Sequence, residues 1–165
     1  MNNKTQFYIG LAIAILNMLA IINGMFYFFG MAGFTVTEWF FFNICAPSTA
    51  IFLTGFFMRK TWLMAAAVPF MGFFGFGGLF FFGWSGNAVI AQIGHILMTA
   101  AIIYTIFAAL AGNKNLRSSA AGLLAGIILF AIFLPFHQDY IRSRPDLIKK
   151  LGDPVFEEKI KSGRR

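Results

Sequence analysis

The chain has 165 residues, of which 59% are hydrophobic and only 12% charged, with a formal net charge of +7 and a mean hydropathy of +0.75. A water-soluble domain carries roughly a quarter charged residues, and here Glu38 is the single acid in the first 136 residues, which excludes a water-facing globular surface over that length. Cys45 stands alone, so an internal disulfide and a CxxC metal or redox motif are excluded.

Five apolar runs follow in order, at 7–29, 39–58, 62–82, 88–111 and 119–136. About 20 helical residues cross a hydrocarbon core, so each run is long enough, the last only just. Helices are required because each backbone N–H and C=O must find its partner inside its own segment, and no run shows the alternation of a barrel strand. The expected fold is therefore all-α: a polytopic membrane helical bundle with five transmembrane helices in 1–136, and a basic tail over 137–165.

The first run is preceded by Lys4 and is 23 residues long. A secretory signal has an apolar stretch of about 7–15 residues, so this run is expected to be retained as a span. In the second run Asn43, Pro47, Ala50 and Thr54 fall on one helical face, with Cys45 nearby as a small packing residue. The third run alternates Gly with Phe and contains Pro69, which predicts a kink and glycine grooves that receive rings.

The fourth run opens AVIAQIGHILMT and holds His95, the only ionisable side chain in the middle of any run. At about 100° per residue, Gln92, His95 and Thr99 share a face. Together with Asn43 they form the expected polar intramembrane face. The fifth run repeats Ser118, Gly122 and Gly126 every four residues, a small-residue face suited to close helix packing.

The breaks at 30–38 and 83–87 carry no Lys or Arg, whereas Arg59–Lys60 and Lys114 with Arg117 make the other two breaks basic. Trp39, Trp62 and Trp84 each stand at a run boundary, where an indole favours the head-group layer. The basic residues lie at run ends and in the tail rather than on one face. That arrangement excludes nucleic acid as a partner and matches anionic lipid head groups.

In the tail, Ser143-Arg-Pro-Asp146 reads as a helix start with Leu147, Ile148 and Leu151 on one side, and Asp153-Pro154 reads as a second one. Short amphipathic helices on the membrane surface are expected.

Five crossings put the N-terminus, Arg59–Lys60 and 112–118 at one end of the bundle (end A), and 30–38, 83–87 and the tail at the other (end B). The tail's eight Lys/Arg then oppose the basic breaks, contrary to the positive-inside tendency. Four spans plus a re-entrant 119–136 would unite them.

End B would collect Glu38, His95, His137 and Asp139, the candidate ligands of a metal or haem site. Their spacing matches no ligand motif, so no cofactor is called for. The function read from the sequence is a small non-enzymatic accessory or binding protein of a plasma or inner membrane. Its partners would be the lipid bilayer, copies of itself or a membrane complex, met through small-residue faces such as Gly122 and Gly126, and it could also hold an apolar ligand. The alternatives are a His95-centred metal, haem or proton-handling protein, and a small-solute transporter with a cavity lined by Asn17, Asn43, Pro47, Thr54, Pro69, His95 and Thr99.

Overall fold

The computed structural model of the chain describes residues 3–81, 83–84 and 88–150. All regular structure among these is helical. The helices are α1 (Asn3–Met25), α2 (Val36–Phe42), α3 (Cys45–Phe57), α4 (Thr61–Phe70), α5 (Gly77–Phe81), α6 (Ala88–Leu110), α7 (Asn113–Ser143) and α8 (Pro145–Lys150). Two wide π-turn segments, Phe26–Met31 and Met71–Phe76, extend α1 and join α4 to α5. Four stretches are long and apolar enough to cross a membrane: Lys4–Met31, Thr61–Phe81, Ala88–Leu110 and Asn113–Ser143. Counting the bent pair α2–α3 makes five. This is the architecture of a multi-pass membrane protein.

The second run departs from the expected straight span. α2 and α3 meet at an angle of 81°. Pro47 has no N–H to give the carbonyl of Asn43, and the helix breaks there, with Asn43 at φ −123° and ψ 52°. Inside the first turn of α3 the missing donor costs nothing, because those N–H groups have no helical partner anyway. With 13 residues, α3 reaches about 20 Å, short of the roughly 30 Å core. α2 instead lies across the end-B termini of its neighbours. Phe34 on its entry loop meets Phe28 and Phe42, Trp39 meets Phe29, and Phe41 stacks on Tyr140 at 4.3 Å.

The fifth run is a continuous helix long enough to span, as expected, and the re-entrant alternative does not hold. Residues 119–136 do not dip and return. They lie within α7, a 31-residue helix of about 46 Å, so the chain's broken segment is the second run and not the fifth. The helix continues through residues 137–143, and α8 begins at Pro145, where Ser143-Arg-Pro-Asp146 predicts a start. Leu147 is fully buried, so this part of the tail is packed rather than merely solvated. The second tail helix expected at Asp153-Pro154 lies outside the described residues.

The kink expected at Pro69 takes the form of the π turn. Pro69 cannot donate one turn back, and just after it the helix widens over Met71–Phe76, where Gly77 N–H reaches the carbonyl of Gly72 five residues back. Phe52, Phe56, Met64, Ala67, Met71, Met98, Ala101 and Tyr104 form the core shared by α3, α4 and α6, with Ala14 contributed by α1.

α7 joins from outside through its glycine face. A Cβ on Gly122 would run into the backbone carbonyl of Trp62, and one on Gly126 into that of Ala66. The four-residue steps match in the same direction, so α4 and α7 run parallel in backbone contact. The face expected to assemble copies of the protein is therefore filled by α4 of the same chain.

This packing predicts the effect of substitution. Gly126→Ile or Gly122→Ile must push α7 off α4 and is expected to lower stability by at least about 1–3 kcal/mol in thermal or denaturing-detergent melts. Gly94→Ala, which faces open space, is expected to stay within about 0.5 kcal/mol of the parent.

Candidate functional site

The polar face of α6 is built where α5 ends. The last carbonyls of a helix lack intrahelical donors, and in hydrocarbon no water replaces them. Gln92, fully buried one turn into α6, supplies its Nε2 to the carbonyls of Gly83 (3.4 Å) and Leu79 (3.5 Å). Trp84 Nε1 also donates to Leu79 O at 3.3 Å. With the Gln92 amide committed this way, its Oε1 accepts from His95 Nδ1 at 3.1 Å. That bond requires a proton on Nδ1. The imidazole lies flat over Gly78, where a Cβ would come within 2.5 Å of Cε1. The glycine makes room for the ring, and the ring fills what would otherwise be a void beside α5.

The other expected members of the polar face behave differently. Thr99 Oγ1 bonds back to His95 O on its own helix at 2.9 Å, as Thr54 Oγ1 does to Ala50 O at 2.8 Å. Asn43 sits at the α2–α3 break with Nδ2 facing Gly24 of α1. Asn17, almost fully buried on α1, donates to Ile13 O at 2.9 Å and across the interface to Leu97 O of α6 at 3.1 Å. The structure thus brings Gln92 and His95 together, turns the Thr99 hydroxyl back onto the His95 carbonyl one turn along, and places Asn43 at the α2–α3 break.

At end B the candidate ligands do not converge. Glu38 closes the N-terminus of α2 as a capping box: Thr35 N–H donates to Glu38 Oε2 at 2.8 Å, and Glu38 N–H donates to Thr35 Oγ1 at 3.3 Å. Its other oxygen takes Arg144 Nη2 at 2.6 Å. Arg144 also forks onto Asp146, Nε to Oδ1 at 3.1 Å and Nη2 to Oδ2 at 3.0 Å. These bonds, Asp146 first and Glu38 second, raise the pKa of Arg144.

His137 is wedged between the rings of Phe74 (4.7 Å) and Phe133 (5.7 Å), while Asp139 is exposed on α7. Among the described residues no three His, Cys, Asp or Glu side chains come together to hold a metal ion.

Sequence reading missed the two residues that organise end B. Thr35-Val-Thr-Glu38 has the capping-box spacing, which marks a helix start inside what reads as a loop. Arg144 gave no local signal, since its partner Glu38 is 106 residues away. Comparison with family models, curated proteins and solved structures finds no match for this chain.

Two outcomes follow. Gly78→Ala is expected to destabilise the bundle in thermal melts, and a His95→Ala background should restore much of the loss, a coupling that a double-mutant cycle measures. Arg144→Gln is expected to loosen α2 and α8 without unfolding the helices of the core. Hydrogen exchange should then rise at 36–42 and 145–150 and stay unchanged in α6.

Proposed function

We propose that this is a non-enzymatic accessory or binding protein of the membrane, acting through its perimeter rather than through an internal reaction centre. The observation that carries the reading is how the interior polar groups are spent. Gln92 and His95 secure the end of α5, and Asn17 ties α1 to α6. The imidazole rests on Gly78, in the volume a reaction centre at His95 would need.

The outward side of α7 offers the opposite. That helix is held along one narrow face by Ser119, Gly122 and Gly126, and its remaining surface presents Leu124, Ile128, Leu129, Ile132 and Phe136. This ridge supports docking of a partner helix by van der Waals contact, the force that drives helix association in lipid.

The reading is tested by placing a photo-crosslinking residue at Leu124, Ile128 or Ile132 in cells, with the buried Ala67 as control. A discrete protein adduct from the three outward sites and none from Ala67 is expected. Adducts to lipid alone would refute a partner on this face.

A further inference from the structure

We propose that end A of the bundle, centred on Arg59, is a binding surface for anionic phospholipid head groups. This rests on the reading of the chain as a membrane protein. α3 terminates in a tight reversal in which Lys60 N–H bonds Gly55 O at 2.8 Å and Arg59 N–H bonds Phe56 O at 3.1 Å. The reversal puts Arg59 at φ +55°, the one non-glycine residue with positive φ among those described. Glycine is the usual occupant of that position, because a Cβ is unfavourable there. The backbone therefore does not ask for arginine, and a reason must lie in the side chain.

That side chain is exposed and directed along the bundle end, its guanidinium carbon 5.9 Å from the centre of the Phe7 ring. Phe7 is in turn stacked on Phe56 at 5.9 Å. An aromatic floor orients the charge outward rather than burying it. Lys60 follows, also exposed. The parallel register of α4 and α7 sets Gly122 beside Trp62, which brings Arg117 level with the reversal and Lys114 about 4–5 Å farther out.

The described acids lie elsewhere: Glu38 and Asp146 are joined to Arg144 at end B, and Asp139 is near the end-B terminus of α7. End A is thus a cationic rim without acidic offset among the described residues. Its level is set by Trp62, a half-exposed indole in the first turn of α4, the residue type that settles among head groups. Arginine's planar fork matches a phosphodiester.

The test uses the full chain in nanodiscs of phosphatidylcholine, with and without phosphatidylglycerol. Thermal stability and the lipids retained in native mass spectrometry are the readouts. The wild type is expected to melt higher in the mixed discs and to retain phosphatidylglycerol preferentially, a preference that falls with added salt. Arg59→Gly supplies the residue the backbone favours, so in pure phosphatidylcholine it should melt no lower than the wild type.

The same variant should lose preference for the anionic lipid by about fivefold. Lys60→Gln with Arg117→Gln should lower it further. A wild type indifferent to phosphatidylglycerol, or Arg59→Gly with its preference intact, overturns the proposal while leaving the membrane reading in place. A chain recovered in solution without detergent overturns both.

Discussion

A backbone carbonyl surrounded by hydrocarbon has no water to fall back on, and this requirement governs where the chain places its few polar side chains. Regular helices satisfy themselves. The breaks do not, and the break after α5 is where Gln92 and Trp84 donate. His95 then completes Gln92's hydrogen bonding and fills the space over Gly78. An ionisable residue at depth is costly to keep and invites a catalytic explanation. Here the ring's described contacts are with Gln92 and Gly78.

The two ends of the bundle treat charge differently. At end B a single early acid is drawn into both a helix cap and an ion pair, and that pair fastens the crosswise α2 to the start of the tail. Isolated exposed ion pairs contribute little. This one works alongside the Phe41–Tyr140 stack and the burial of Leu147, so the electrostatic contact fixes geometry that ring packing then consolidates. At end A the cations stand without described acids and are positioned by backbone geometry and by the Phe7 ring.

Much of the fold was legible from composition and run length, because a lipid-embedded helix announces itself by twenty apolar residues in succession. The glycine face of α7 was also legible as a packing surface, although its partner turned out to lie within the chain. The bend at Asn43 was not read, even though Pro47 stood in view. Proline within an apolar run is compatible with either a kinked span or a true break, and only the neighbours decide. The assembly of the candidate site was least legible. Gln92 and His95, three apart on one face, could be paired from periodicity, but the carbonyls that Gln92 serves belong to another segment. Glu38 and Arg144 are joined only by the tertiary fold, and both Glu38 oxygens are engaged, by Thr35 N–H and by Arg144.

The α4–α7 contact bears on the order of biosynthesis. The strip of α4 backbone at Trp62 and Ala66 accepts only a glycine-bearing helix, and the matching segment leaves the ribosome some sixty residues later, about 3–12 s at ordinary elongation rates. During that interval the nascent bundle carries an open slot shaped for α7.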